Sequence, residues 1–166
     1  MMEIERKFLV TQETLLKVKE EYVGLVKRII QGYNPGNPGE RIRTVFLNGT
    51  YSYSEYTRKT GEGLVRDEYN VPLNIADTQK YWGRMENIVT KNRYSVKNPD
   101  GLLFEYDEYL GHLKGLFVVE VEFETIEQAD GFVVPEFFGD EVTGNTFFAN
   151  ENLSKLTVSD FLDNRR

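Results

Sequence analysis

Charged side chains alternate with apolar ones in the segment EIERKFLV, which begins at the third residue of the chain. Because successive side chains of a strand point to opposite faces, Glu3, Glu5 and Lys7 would share one face of a strand. Ile4 and Phe8 would share the other face. A single strand of this kind is common in antiparallel sheets with one solvated side, so the pattern becomes informative only if other strands repeat it.

Periodicity and turn sequences predict eight strands. The segments NPGNPG, NG, TGEG, NPDG and GHLKG separate several of them as hairpin loops would. The predicted strands span residues 3–10, 24–33, 41–47, 50–58, 64–72, 88–97, 102–110 and 117–123. The predicted helices span residues 12–22, 75–87, a short stretch after 125, and 154–162. Thr11 and Asn74 are suited to cap the first two helices.

Same-face charges recur on five further strands. They are Arg41 with Arg43, Arg66 with Glu68, Lys91 with Arg93, Glu105 with Asp107, and Glu120 with Glu122 and Glu124. Like charges this close repel unless water or a ligand compensates them, and eight antiparallel strands can close around a small ligand. The predicted fold class is therefore α+β, mainly antiparallel β: an eight-stranded closed β-barrel with a polar interior and flanking helices, forming one domain over 1–166.

Such an interior would contain two kinds of ligand-binding side chain. Its carboxylates would form a hard-oxygen site suited to Mg²⁺ or Mn²⁺, and its Arg and Lys side chains would suit phosphate oxygens. Together they imply a polyanion bound with its metal, most simply a metal-nucleotide or metal-polyphosphate. A lattice of internal salt bridges, or a sheet with one solvated face, remains the alternative.

Composition excludes several other classes. A net charge of −7 over 166 residues and a pI near 4.9 argue against general nucleic-acid binding, which needs a basic surface. The chain has no cysteine, so thiolate metal sites and thiol nucleophiles are excluded. No signal peptide or long apolar run is visible, which predicts a cytoplasmic protein without a membrane partner.

Several motifs resemble those of one known family. They are EIERK at 3–7, RIR at 41–43, the stretch TRKTGEGLVRDEY at 57–69, KNRY at 91–94, FEYDEY at 104–109, VVEVEFE at 118–124 and GDEVTGN at 139–145. In this order they are similar to the signature of the CYTH, or triphosphate tunnel metalloenzyme, superfamily. The resemblance covers nearly the whole chain.

The resemblance implies a tunnel that holds a triphosphate with one or two divalent metals, Mg²⁺ or Mn²⁺. The implied metal-binding residues are Glu3, Glu5, Asp107, Glu120 and Glu122. The implied phosphate contacts are Lys7, Arg41, Arg43, Lys59, Arg66, Lys91 and Arg93. Candidates for a catalytic role are Lys7, Lys91 and Glu68. The strand phase alone leaves open whether Arg58 or Lys59 faces inward.

The predicted activity is hydrolysis of inorganic triphosphate. Alternatives within the family are an adenylyl cyclase acting on ATP and a thiamine triphosphatase, and by resemblance the chain could form a homodimer. A non-catalytic module that binds polyphosphate or nucleotide is the alternative from another class. It is favoured by two departures from the family pattern, namely Asn70 in place of a second acidic residue, and Asn145, Thr146 and Phe147 where many members have Asp and then Arg.

Overall fold

The structure, a computed structural model, describes residues 2–61 and 63–163. Its strands are β1 (Met2–Leu9), β2 (Lys27–Tyr33), β3 (Glu40–Leu47), β4 (Thr50–Thr60), β5 (Val65–Leu73), β6 (Asn87–Lys97), β7 (Leu103–Tyr109) and β8 (Phe117–Phe123). They form one closed antiparallel barrel in the order β1-β5-β4-β3-β2-β6-β7-β8, and β8 pairs with β1 to close it. The predicted eight-stranded barrel is confirmed.

Five helices accompany the barrel. They are α1 (Gln12–Glu21), α2 (Ile75–Trp82), α3 (Ile126–Asp130), α4 (Asn150–Leu153) and α5 (Val158–Asp163). The predicted caps form, because the side chains of Thr11 and Asn74 accept hydrogen bonds from the first turns of α1 and α2. No helix in the described part of the chain is long and apolar enough to span a bilayer.

Three predicted boundaries were wrong. Strand β2 starts at Lys27 instead of 24, because Val26 exchanges hydrogen bonds with Asn48 in the β3–β4 turn and 24–26 run as a loop. Helix α2 ends at Trp82, where tight turns lead into β6. The tail helix α5 starts at Val158 instead of 154, because Thr157 and Asp160 exchange hydrogen bonds at its first turn, and the short α4 precedes the predicted range.

The apolar faces of the strands point outward and are covered. Phe8 packs against Phe138 with ring centroids 5.2 Å apart, and Phe104 also packs on Phe138, at 5.4 Å. On the opposite side α2 lies so close that a Cβ added to Gly32 would approach Trp82 to 2.7 Å. The barrel is therefore apolar outside, under its helices, and polar inside.

An apolar plug fills part of one end of the barrel. It contains Tyr33, Val89, Tyr109, Leu113, Leu116, Val118, Leu153 and Phe161, with Leu9, Phe147, Phe148 and Leu156 packed against it. The tail supplies Leu153 and Phe161, which are almost fully buried. The polar part of the interior therefore lies next to this plug and further along the barrel, away from the plugged end.

A segment that we call the strap, residues 139–149, replaces β5 along the second half of β1. The β1–β5 pairing covers only Met2 to Ile4. Beyond that, Val142 N donates to the Lys7 carbonyl at 2.8 Å and Gly139 N donates to the Leu9 carbonyl at 2.7 Å. The Lys7 N–H donates to Thr143 Oγ1 at 2.9 Å. The strap therefore continues the barrel wall beside β1 where β5 no longer pairs with it.

Candidate active site

The barrel encloses a polar cavity with two connected chambers of about 270 Å³ and 260 Å³. Glu5, Arg41, Lys59 and Arg66 line both chambers. The first chamber reaches an opening that we call the Tyr53 mouth, which is lined by Lys27, Tyr53, Glu55 and Glu122. The second reaches an opening that we call the strap mouth, which is lined by Gly39, Gly61, Gly63 and, from the strap, residues 143–146, Phe148 and Ala149.

Most of the predicted site residues line this cavity. They are Glu3, Glu5, Lys7, Arg41, Arg43, Lys59, Arg66, Glu68, Arg93, Glu120 and Glu122. Among the predicted residues, all of which lie in the described ranges, Lys91 and Asp107 line neither chamber and are buried behind Arg93. The structure also resolves the ambiguity at the end of β4, since Lys59 lines the cavity while Arg58 is exposed outside.

One cluster, which we call the Arg93 cluster, is made of buried and mutually paired charges on β6, β7 and β8. Asp107 accepts hydrogen bonds from Lys91 Nζ at 2.6 Å and from Arg93 Nε and Nη2 at 2.7 Å each. Arg93 also bonds Glu120 at 2.7 Å and pairs with Glu105. Every carboxylate of this cluster therefore has a cation in contact.

These pairings shift the ionisation of the cluster. Burial raises the pKa of Asp107, but Arg93 and Lys91 outweigh it and hold that pKa below its usual value. Burial likewise opposes ionisation of Glu120, yet Lys7, Arg93 and Lys91 keep its pKa well below the usual range. Burial lowers the pKa of Lys91 to about 8, although Asp107 opposes that shift. Both carboxylates are therefore anions at neutral pH.

A second set of contacts joins β1, β4 and β5. Lys59 Nζ lies 3.0 Å from both Glu3 and Glu68, while Arg66 pairs with Glu3 at 3.1 Å and with Glu5. Burial raises the pKa of Glu68, but Lys59, Asn70 and Arg41 outweigh it and lower the pKa to about 2. Glu68 is therefore a permanent anion that holds Lys59 in the tunnel wall.

Carboxylates crowd the β1–β8 side of the Tyr53 mouth, in a group that we call the Glu122 rim: Glu3, Glu5 and Glu122. Burial, then Glu105, Glu3 and Glu5, raise the pKa of Glu122 to about 7. Burial and Glu5 also raise the pKa of Glu3, despite Lys59. In the described part of the chain Glu122 makes no ion pair. The raised pKa values mean that Glu3 and Glu122 are protonated more readily than an ordinary glutamate.

The donor chemistry of this rim fits a hard divalent cation. Glu3, Glu5, Glu120 and Glu122 offer only oxygen ligands, as Mg²⁺ and Mn²⁺ prefer. Within the described ranges no three acidic or histidine side chains already converge on one metal-sized point. The oxygens of Glu3, Glu5 and Glu120 are instead directed at cations of the protein, namely Lys59, Arg66, Lys7 and Arg93. The residues fit the ion by their chemistry and would need to exchange partners to bind it.

Two guanidinium donors lack acceptors. The Nε atoms of Arg41 and Arg66 are buried and have no hydrogen-bond partner among the described residues. A buried donor left unsatisfied costs roughly 1–3 kcal/mol, and more when it is charged. Both side chains line both chambers. An anionic ligand in the cavity would supply the missing acceptors.

Sequence reasoning missed a set of neutral residues. Arg41 Nη2 donates to Thr57 Oγ1 at 3.2 Å, Thr57 donates to Asn70 Oδ1 at 2.7 Å, and Asn70 Nδ2 donates to Glu68 at 2.8 Å. Thr57 is fully buried. It lies two residues before Lys59, on the same face of β4, which is the only signal that could have identified it. Asn70 thus keeps a hydrogen bond to the anion beside it.

The chain also lacks the arginine that many family members carry after the VTG segment, and Phe147 stands there instead. Phe147 packs against the apolar plug, and its ring centroid lies 5.0 Å from that of Phe148. The Asn145 side chain accepts a hydrogen bond from the Phe147 N–H and shapes this turn. The aromatic side chain therefore contributes to the closure of the barrel end and brings no cation to the cavity.

Comparisons with known proteins bear on this geometry. The chain is 39% identical over 157 residues to the inorganic triphosphatase of Nitrosomonas europaea, covering 93% of this chain and 97% of that protein. It is 28% identical over 161 residues to the inorganic triphosphatase of Acetivibrio thermocellus, covering 96% and 97%. The crystal structure of the inorganic triphosphatase NE1496 matches with a TM-score of 0.61 and 33% identity over 92% of this chain and 93% of that one. No family model matches the chain.

Proposed function

Because the chain belongs to the inorganic triphosphatases of the triphosphate tunnel, or CYTH, superfamily, we propose that it hydrolyses inorganic triphosphate inside its barrel. The observation that carries the proposal is the pair of buried, unpartnered Nε donors of Arg41 and Arg66 in a cavity that also holds carboxylates whose pKa values are raised. A polyanion would supply hydrogen-bond acceptors to these Nε donors, and a divalent cation would neutralise the carboxylates.

The cations of the tunnel would bind and orient the substrate. Lys7, Arg41, Arg43, Lys59, Arg66 and Arg93 line the cavity from five different strands. Charge spreads over the phosphoryl oxygens in the transition state, so fixed cations around them contribute most of the catalysis. Glu68 and Asp107 would hold Lys59 and Arg93 in place, and no protein nucleophile is required.

A divalent cation, Mg²⁺ or Mn²⁺, would supply Lewis acidity toward phosphate oxygens and a water of lowered pKa. We propose Glu3, Glu5, Glu120 and Glu122 as the residues that hold it. Asp107 remains a predicted member of this set, but its contacts to Lys91 and Arg93 support a positioning role instead.

Three residues are candidates for the group that accepts a proton from the attacking water. Glu68 has a pKa of about 2, which makes it a weak base. Lys91 has a pKa of about 8, suited to proton transfer near neutral pH, but it lies behind Asp107. Lys7 lines the cavity and lies 3.1 Å from Glu120. Access favours Lys7, and basicity favours Lys91.

The test is phosphate release from tripolyphosphate with Mg²⁺ or Mn²⁺, comparing the wild type with Glu5→Gln. We expect Glu5→Gln to lose at least about a hundredfold in rate, a loss typical of removing a group that stabilises transition-state charge. The matched control is Glu13→Gln, the same change on the exposed outer face of α1, which should leave the rate unchanged. Equal rates for Glu5→Gln and wild type would contradict the assignment.

The same assay separates the competing functions. ATP and thiamine triphosphate serve as alternative substrates, and cyclic AMP with pyrophosphate from ATP would identify a cyclase. The loss of a carboxylate at Asn70 and of a cation at Phe147 favours a binding module as the second candidate. Tripolyphosphate that binds the wild type without phosphate release, with either metal, would support that reading.

A further inference from the structure

The two mouths of the tunnel differ in charge. Among residues 2–61 and 63–163, the cations Lys7, Arg41, Lys59 and Arg66 line the strap mouth and its chamber, with the carboxylates Glu5 and Glu151. The Glu151 carboxylate accepts the Gly39 N–H at 3.3 Å. At the strap mouth the balance is therefore positive.

The Tyr53 mouth has the opposite character. The carboxylates of Glu55 and Glu122 stand at this opening with Lys27, and Glu3 lies next to them. Glu55 is paired with Arg43 at 3.6 Å, whereas Glu122 makes no ion pair in the described ranges and is exposed. An approaching polyanion would therefore meet negative charge at this opening first.

The two mouths also differ in shape. The residues that line the strap mouth include Gly39, Gly61, Gly63 and Gly144, all with φ between 71° and 94°. Side chains rarely adopt that conformation, and a Cβ at Gly144 would lie 3.2 Å from the Gly63 Cα. The Tyr53 mouth is instead flanked by long side chains. Four of the described residues that line the strap mouth therefore bring no side chain to it.

We propose that the triphosphate enters and leaves through the strap mouth and not through the Tyr53 mouth. This inference rests on the proposed function and adds the route by which the polyanion reaches the site. A cleft lined by one sign of charge concentrates an oppositely charged ligand and raises its rate of association. The strap mouth combines that field with four glycines among its described lining residues.

The absence of cysteine allows a direct test, because one introduced thiol can be labelled alone. Thr146→Cys places the thiol at the strap mouth, and Tyr53→Cys places it at the other; both residues are exposed. Each variant is modified with a bulky maleimide, or with a small methylthio reagent as the matched control. Phosphate release from tripolyphosphate with Mn²⁺ is measured before and after labelling.

We expect the bulky label at Thr146→Cys to lower kcat/KM by roughly tenfold or more, within the range of steering effects on association. The same label at Tyr53→Cys should change it less than about twofold, and the small label should have no effect at either position. Equal losses at both positions, loss at Tyr53→Cys alone, or loss at neither would overturn the proposal.

A binding measurement separates this route from the activity itself. Tripolyphosphate should slow the maleimide reaction at Thr146→Cys and leave the reaction at Tyr53→Cys unchanged. If the unlabelled variants and the wild type release no phosphate, the proposed hydrolysis fails, while selective protection at Thr146→Cys would still support the route. Protection of Tyr53→Cys alone, or of both thiols equally, would contradict it.

Discussion

The Arg93 cluster and the Glu122 rim lie side by side on neighbouring strands of the barrel wall, but their charges are arranged in opposite ways. In the Arg93 cluster each carboxylate touches a cation, and the pKa values of Asp107 and Glu120 are lowered. In the rim the pKa values of Glu3 and Glu122 are raised. The difference teaches that the charges of the Arg93 cluster are balanced within the protein, whereas Glu122 has no ion pair among the described residues and the pKa of Glu3 is raised despite Lys59 and Arg66.

Removing Asp107 should produce the largest effect, because it leaves Lys91 and Arg93 buried beside fewer anions. Breaking a buried ion pair on one side typically costs about 3–5 kcal/mol of unfolding free energy, and we expect Asp107→Ala to fall in that range. Urea unfolding measures the loss. The control is Glu13→Ala, which breaks the exposed Lys17–Glu13 pair and should cost under about 0.5 kcal/mol. A cost for Asp107→Ala below that of Glu13→Ala would show that the Arg93 cluster is not a structural unit.

Divalent metal should stabilise the protein through the rim. At about one hundred times its dissociation constant, a ligand that binds only the folded state adds about 2.7 kcal/mol. We expect Mn²⁺ to raise the Tm of the wild type, EDTA to reverse the shift, and Glu122→Gln to reduce it. Thermal unfolding with and without Mn²⁺ measures these shifts. A shift that is the same in Glu122→Gln and wild type would exclude Glu122 from the cation site.

The rim should also make the metal-free protein sensitive to pH. The folded pKa of Glu122, about 7, lies above its ordinary 4.5, so the folded state holds this proton more tightly than the unfolded chain. Its stabilising effect is present in full below about 4.5 and is lost as pH rises through about 7. We expect wild type in EDTA to lose more stability than Glu122→Gln between about pH 5 and pH 8. The loss should be modest because the side chain is exposed. If the unfolding free energies of the two proteins changed equally with pH, this result would argue against a raised pKa of Glu122.

The smallest effect is expected at Thr57, which belongs to neither region and makes its hydrogen bonds through an uncharged hydroxyl. Thr57→Val removes the hydroxyl between Arg41 and Asn70 with little change in volume. One hydrogen bond contributes about 1 kcal/mol, so we expect roughly a fivefold rise in KM for tripolyphosphate with kcat nearly unchanged. Thr57→Ser keeps the hydroxyl and should behave as wild type in the same steady-state assay. Equal KM values in the two variants would mean that the hydroxyl does not position Arg41.

Charge alternation was enough to predict the barrel and its inward faces. Burying the charges of Glu3, Glu5 and Lys7 on the outer face would cost too much free energy. The barrel could therefore close only with these side chains directed inward. The end of β4 was ambiguous because the hairpin continues to Thr60, and the choice of Lys59 over Arg58 depends on pairing with β5. Local periodicity could not supply that pairing.

Other features depend on contacts between distant residues. The apolar plug joins Tyr33, Tyr109 and Phe161, which belong to separate elements with no shared periodic pattern. The link from Thr57 to Asn70 is formed by neutral side chains, which leave no trace in a search for charge. The start of α5 at Val158 depends on the capping exchange at Thr157, a local signal that the longer helical pattern obscured.

The strap determines when the barrel can become complete during synthesis. β1 lies at the start of the chain, yet it pairs with β8, and its second half bonds to residues 139–142. A ribosome must therefore release residue 142 before β1 can form all of these contacts. Contacts of such high sequence separation slow folding and leave strand edges open in the meantime. Charged residues spaced along β1 would then also discourage association between nascent chains.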